Sequence, residues 1–122
     1  MIAEKNTLLE IVLKCRDESL SKRLHYFSKE FLASRLLSII RFNEDEKENI
    51  CDYTAVSRNI FSYFDAISNI SDTEKREVRE RTNLTIKYSE KESKLMQVTF
   101  GFVLENDNWV IGFVGAPREI SA

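Results

Sequence analysis

The chain has 122 residues, of which 43% are hydrophobic and 31% are charged, and its formal net charge at neutral pH is −2. This composition is typical of a folded globular protein and excludes a disordered one. The near balance of charge gives no basic surface for nucleic acid, and no apolar stretch approaches the roughly 20 residues of a membrane span. The length predicts a single domain over residues 1–122.

The N-terminal residues do not match a secretory leader. A signal peptide has basic residues, an apolar run of about 7–15 residues and a small-residue cleavage site. Here Glu10 interrupts the apolar run, and Lys14 and Arg16 follow it. We therefore predict a cytoplasmic protein. The alternative is a leader that was removed ahead of this sequence.

The sequence contains no pattern of metal or redox ligands. Cys15 and Cys51 lack metal-ligand spacing, and we favour two reduced, buried thiols over the alternative of one bridge between them. The acidic run at residues 43–49 lacks the ligand order of a calcium loop and is interpreted as a solvated link or the exposed start of another helix. We predict no metal and no cofactor.

The first predicted element is a helix over residues 7–16. Thr7 and Glu10 have the spacing of a capping box, and the apolar residues that follow recur at helical intervals. Residues 17–24 either continue this helix or form a second, short one.

Two further helices are predicted before the strands. Ser28 is suited to the N-cap of a helix that ends near Phe42. Helical spacing returns over residues 50–69, which predicts a third helix. A second capping-box match, at residues 71–74, predicts a charged turn or short helix through Arg81.

After Arg81 the apolar residues alternate with polar ones, which is typical of a β-strand. Residues 84–88 form the first predicted strand. Its parity allows Leu84 to face Phe100 and Ile86 to face Val98.

The last two predicted strands form a hairpin. Asn106 and Asp107 tolerate the positive φ angles of a two-residue turn, and Pro117 ends the last strand. This register places the large apolar side chains on one face. The predicted opposite pairs are Leu104 with Trp109, Phe102 with Ile111, Phe100 with Phe113, Val103 with Val110, and Gly101 with Gly112.

Together these elements predict an α+β fold. N-terminal helices, over about residues 7–81, pack on one face of a C-terminal antiparallel meander of three to four strands, over about residues 83–116.

The face of the hairpin away from the helices is the predicted partner-binding surface. It is flat and uncharged, and its two opposed glycines leave a notch for a partner side chain or a second sheet. The alternative is that the glycines only let the sheet bend. The predicted surface consists of Thr99, Gly101, Val103, Val110, Gly112 and Val114.

Catalysis would need a titratable group within reach of a substrate, and the predicted inner face carries none apart from the Tyr88 hydroxyl. A base oriented by His25 and Asp65 is conceivable, but we favour an exposed His and an exposed Asp. We predict no catalytic residues. The eight Phe, four Tyr and one Trp either line a cavity or fill the core. Any pocket would involve His25, Tyr26, Asp65, Tyr88 and Trp109.

Two stretches of the chain resemble the nuclear-transport-factor-two-like superfamily, also called cystatin-like cones. Residues 24–32, LHYFSKEFL, are similar to its turn into the second helix, and residues 98–114 are similar to its closing hairpin. The resemblance implies a curved sheet around helices with a cone-shaped pocket. It also implies one of several roles, from isomerase or dehydratase to immunity protein, with dimerisation in many members through the outer sheet face. The Asp/His and Tyr/Asp arrangements of its enzymes are not found on the inner face.

The predicted function is therefore that of a non-catalytic interaction module, a bacterial accessory or immunity-like protein. It is predicted to bind another protein, or a second copy of itself, through the outer sheet face. The alternative is a protein that binds a small apolar ligand, with or without isomerase- or dehydratase-like chemistry.

Overall fold

A computed structural model describes residues 3–31, 60–91 and 94–120, and in these ranges helices precede an antiparallel sheet. The predicted α+β fold is confirmed. The elements are helices α1 (Lys5–Asp17) and α2 (Leu20–Arg23), a 3₁₀ turn at Leu24–Tyr26, and strands β1 (Ile70–Val78), β2 (Arg81–Lys91), β3 (Lys94–Glu105), β4 (Asn108–Val114) and β5 (Arg118–Glu119). Residues 29–31 and 60–65 are also helical.

Helix α1 packs on the sheet through one apolar stripe. Leu8, Val12 and Cys15 are buried at successive turns. The helix begins at Lys5, ahead of the capping box predicted at residues 7–10, and no side chain hydrogen-bonds at its N-cap. The capping-box prediction is wrong because packing of the buried stripe, rather than a cap, stabilises this helix.

Arg23 joins the end of α1 to the later helical segment. Its side chain is buried, and its guanidinium donates hydrogen bonds to the carbonyls of Arg16 (2.7 Å), Glu18 (3.1 Å) and Phe61 (3.4 Å). An ion pair of 2.7 Å joins it to Asp65. Helix α1 thus ends at Asp17 and a second, short helix follows it, which was one of the two alternatives predicted for residues 17–24.

The N-terminus of the next helical segment is fixed against the sheet. The Ser28 amide donates to the carbonyl of Ile111 (2.8 Å), and the Ser28 hydroxyl accepts the Phe31 amide (3.0 Å). Ser28 is thus the N-cap, as predicted. The Glu105 carboxylate at the end of β3 accepts the Lys29 amide (2.9 Å), a second cap supplied by the sheet.

The sequence predictions between this cap and β1 have mixed outcomes. Those on residues 32–59, which include the acidic link and Cys51, lie outside the described residues. The third helix ends at residue 65, four residues before its predicted end. The charged turn or short helix predicted over residues 71–81 is wrong, because most of that stretch is β1, paired with β2. Pairing along a whole strand outweighs a local capping motif.

Strand β3 is central in the sheet. It pairs with β2 along one edge, and with β4 and β5 along the other, in the order β1-β2-β3-β4. Leu84 faces Phe100 and Ile86 faces Val98, as predicted. The sheet has five strands instead of three or four, since β1 and β5 add to the predicted meander. Strand β4 ends at Val114, before Pro117.

The β3–β4 hairpin has the predicted turn but contains a bulge. Asn106 and Asp107 have φ angles of 52° and 65°. The predicted pairing holds from the turn as far as Phe102 and Ile111, but the register shifts by one residue beyond that pair. The shift makes Gly112 the extra residue on β4.

The bulge overturns two predicted pairs. Phe100 faces Val114 instead of Phe113, and Gly101 faces Phe113 instead of Gly112. Because side chains alternate along a strand, the extra residue turns Phe113 to the outer face and Val114 into the core.

The core lies between the helices and the inner face of the sheet, where aromatic rings connect the two layers. Phe64 contacts Phe100, with 4.7 Å between ring centroids, and Phe27 packs edge-on against Phe64 at 5.8 Å. The inner-face residues that are at most 1% exposed are Leu84, Ile86, Tyr88, Val98, Phe100, Phe102 and Ile111.

Cys15 is a free, buried thiol, so the prediction of a reduced state is confirmed for this residue. Burial raises the pKa of the Cys15 thiol to about 12, while the nearby positive charge of Arg23 acts in the opposite direction. The thiol therefore stays protonated, and its nucleophilic form is scarce at neutral pH.

We expect Arg23→Met to lower the free energy of unfolding by about 2–4 kcal/mol, because it removes the donor from one buried and two part-buried carbonyls. Urea denaturation followed by circular dichroism measures this loss. Asp65→Asn should cost about 0–1 kcal/mol, since Asp65 is half exposed. The exposed Arg118→Met serves as control and should change stability by less than about 0.5 kcal/mol. Equal losses in all three variants would contradict the role given to Arg23.

Cys15 should resist thiol reagents in the folded protein. In a Cys51→Ser variant, where Cys15 is the single thiol, Ellman's reagent should react slowly at mildly alkaline pH and completely in urea. The raised pKa also makes the stability of the protein depend on pH. The buried, protonated thiol makes its full contribution to the free energy of unfolding below the ordinary pKa of a thiol, and this contribution is lost as pH rises toward about 12. Rapid labelling of the native protein would show that the thiol is accessible.

Candidate interaction surface

The outer face of the sheet, which points away from the core, is polar at one end and apolar at the other. Thr85 and Thr99 share a hydrogen bond of 2.9 Å on the polar side. Toward the β1–β2 and β3–β4 turns, the half-buried residues on this face include Val78, Val103 and Val110.

The structure distributes the predicted partner-binding residues over both faces. Val103, Val110 and Gly112 are half-buried near the turns, and Thr99 is bonded to Thr85. Val114 belongs to the core at 8% exposure, so its placement on the outer face is wrong. The bulge at Gly112 is the reason.

The predicted notch between two glycines is also wrong, since Gly101 is covered. A Cβ atom at Gly101 would lie 2.9 Å from the Cβ of Phe113 and 3.2 Å from the Cδ of Arg81. The Arg81 guanidinium stacks on the Phe113 ring at 4.3 Å. Gly101 therefore makes room for this cation–π pair. The Oδ1 atom of Asn83, 3.1 Å from the same position, is buried and has no hydrogen-bond partner among the described residues.

Two grooves open beside this stacked pair. The first, here the valine groove, has a volume of about 530 Å³ and is lined by Val78, Arg79, Glu80, Arg81, Val103 and Gly112. The second, here the tryptophan groove, has a volume of about 410 Å³ and is lined by Ser28, Glu30, Glu80, Val103, Leu104, Glu105 and Trp109. Glu80 and Val103 line both, so the grooves are contiguous.

Sequence reasoning missed the contribution of the β1–β2 turn to this surface, because it assigned those residues to a charged turn or short helix. Strand β1 has the half-buried residues Thr73, Lys75 and Val78 among exposed ones. Thr73 and Lys75 lie on the inner side of β1 and Val78 lies on the outer side, and in the sequence ISDTEKREV only Ile70 and Val78 are apolar. No apolar alternation therefore indicated a strand there, and the capping-box match decided the prediction.

Arg79, at the tip of this turn, has an unusual backbone conformation. Its φ angle is 48°, in the left-handed region that disfavours residues with a Cβ atom. Backbone strain of this kind costs on the order of 1 kcal/mol and is concentrated at functional sites. Arg79 lines the valine groove.

The residues of the predicted ligand pocket lie in different environments. His25 is exposed, and Asp65 pairs with Arg23. Tyr88 is 1% exposed in the core, where burial raises the pKa of its hydroxyl. Tyr26 is half-buried, and Trp109 lines the tryptophan groove. These positions do not form one pocket around a base.

Two searches of the described residues bear on the class of site. In residues 3–31, 60–91 and 94–120, no three His, Cys, Asp or Glu side chains are grouped so as to hold a metal ion. None of the helices in these ranges combines the length and the apolarity needed to cross a bilayer.

Comparison with known proteins gives no family for this chain. No protein-family model, no curated protein and no solved structure matches it.

The covered glycine gives a direct test of the bulged register. Gly101→Ala should destabilise the protein by about 1–3 kcal/mol, because its new Cβ meets the Cβ of Phe113, which no rotamer change can move away. Gly112→Ala should cost less, since its nearest neighbours are the rotatable methyl groups of Val103 at 3.1 and 3.3 Å. Thermal unfolding of both variants measures the difference. The reverse order would contradict the register.

Proposed function

We propose that this protein is a non-catalytic interaction module that binds another protein through the outer face of its sheet. The observation that carries this proposal is the valine groove, where the half-buried Val78 and Val103 form an apolar floor beside Gly112. A shallow apolar depression of this kind can receive an apolar side chain of a partner.

The border of the valine groove supports a protein partner. Arg79, Glu80 and Arg81 surround the apolar floor with charge. An apolar centre inside a polar rim is the usual arrangement of a protein–protein interface, and arginine is enriched there. The strained backbone at Arg79 places one of these charges at the tip of the turn.

The proposed partner, cellular compartment and role of the protein are those predicted from the sequence. The partner is either a different protein or a second copy of this chain, and the role is that of a cytoplasmic bacterial accessory or immunity-like protein. The resemblance to the nuclear-transport-factor-two-like superfamily stays a prediction. It would accommodate a binding domain with an exposed outer sheet face.

The alternative, a small apolar ligand held between helices and sheet, also stays a prediction. The inner-face side chains around Tyr88 are packed against aromatic rings of the helical layer, with Phe64 and Phe100 in contact. This packing supports the interpretation that the aromatic residues fill the core. The valine groove therefore carries the proposed function.

Val103→Arg tests the proposal, because it places a long charged side chain on the apolar floor that both grooves share. Burying an unpaired charge in an interface is costly, so association should weaken at least about tenfold. The measurements are sedimentation velocity for self-association and quantitative affinity capture for other partners. Gly101→Arg is unsuitable because it would clash with Phe113.

Ser89→Arg is the matched control, since it adds the same charge at the far end of the outer face, opposite Leu95. It should leave association within about twofold of wild type. Circular dichroism checks that both variants fold. If folded Val103→Arg protein associates as well as wild type, the valine groove is not the binding surface.

A further inference from the structure

The tryptophan groove combines apolar side chains with carboxylates. Leu104 is 42% exposed, and among the described residues it is the one large hydrophobic side chain that is exposed. It lies opposite Trp109 in the register of the hairpin, and Trp109 is half-buried. Leu104 and Trp109 form the apolar part of the lining of this groove.

Three carboxylates from separate elements border the same groove. Glu30 lies in the helical segment after Ser28, Glu80 lies in the β1–β2 turn, and Glu105 ends β3. Glu105 accepts the Lys29 amide, whereas Glu30 and Glu80 are exposed and form no ion pair with described residues. The groove therefore combines two exposed carboxylates with a third, that of Glu105, which caps a helix N-terminus.

We propose that the tryptophan groove receives a segment of the protein partner in which a lysine or arginine lies beside a large apolar side chain. This inference rests on the proposed function and names the chemistry of the partner. The apolar side chain packs on Leu104 and Trp109, and the cation lies among the carboxylates of Glu30 and Glu80.

A long basic side chain fits this arrangement better than a metal ion does. The described residues contain no group of three acidic or other ligating side chains close enough to hold a metal. A lysine or arginine tolerates wider spacing, because its aliphatic stem packs on apolar surface while its charged end reaches the carboxylates. The Trp109 indole is also the aromatic ring that attracts cations most strongly.

The position of the groove gives the partner a continuous path. Val103 and Glu80 line both grooves, so a segment anchored on the valine floor continues directly past Glu80 to Trp109. The charge changes along this path, from Arg79 and Arg81 at one end to the carboxylates at the other. The segment therefore has a preferred direction, with its basic residue at the Trp109 end.

Trp109 is the single tryptophan of the chain and reports directly on occupancy of the groove. The probes are two short acetylated peptides without tryptophan, one of alternating leucine and lysine and one of alternating leucine and glutamate. The leucine–lysine peptide should change Trp109 emission with a Kd below about 1 mM, and added salt should weaken it. The leucine–glutamate peptide should leave the emission unchanged.

Two variants of Glu80 distinguish the contribution of its charge to peptide binding from that of its side-chain shape. Glu80→Lys should weaken binding of the leucine–lysine peptide at least about tenfold, and Glu80→Gln should weaken it by a smaller factor. Glu119→Lys is the matched control, because it makes the same change in net charge on β5, which pairs with the far end of β3. Its affinity should stay within about twofold of wild type.

The outcomes separate this inference from the proposed function. Equal binding of both peptides, no binding up to about 1 mM, or equal loss in Glu80→Lys and Glu119→Lys would overturn the inference. If Val103→Arg still abolishes association in that case, the valine groove remains the binding surface with a partner of different chemistry. If Val103→Arg leaves association intact, the proposed function fails as well.

Discussion

The pairing of β3 with strands on both of its edges is the constraint on which the rest of this structure depends. Its residues alternate between a face that the described helices cover and a face that these helices do not cover. Phe100 and Phe102 point into the core, while Val103, between Phe102 and Leu104, lines both grooves. One face of this strand thus contributes to the core that stabilises the protein, and its other face contributes to the candidate binding surface.

Much of this architecture could be predicted from local patterns. Period-two alternation located β2, β3 and β4, and Asn106 with Asp107 located their closing turn, because few residues tolerate positive φ. The Ser28 cap was predictable since its side-chain chemistry acts over three residues. A local sequence pattern predicts the structure correctly where the interaction that determines the structure is made by residues within or next to that pattern.

The errors arose where long-range contacts decide the outcome. The bulge at Gly112 was wrongly predicted as a notch, although an isolated glycine in a strand is also a sign of a bulge. The two grooves combine residues from Ser28 to Gly112, and no local pattern connects the β1–β2 turn with Trp109. Likewise, nothing in the sequence marks Arg23 as the arginine that is buried among the carbonyls of two helical segments.

The bulge has a consequence for how this chain can vary. Gly112 advances the alternation of β4 by one step, so the residues after it are out of phase with those before it. Deleting this one residue would remove the bulge and leave Phe113 on the outer face and Val114 in the core, because each would keep its partner on β3. A straight pairing that kept Gly112 would instead turn Phe113 into the core, where a phenyl ring would replace a smaller side chain, and the Arg81 stack would disappear. A gap at this position is therefore compatible with the two faces of the strand as they are, whereas a bulge-free pairing of the full-length strand is not.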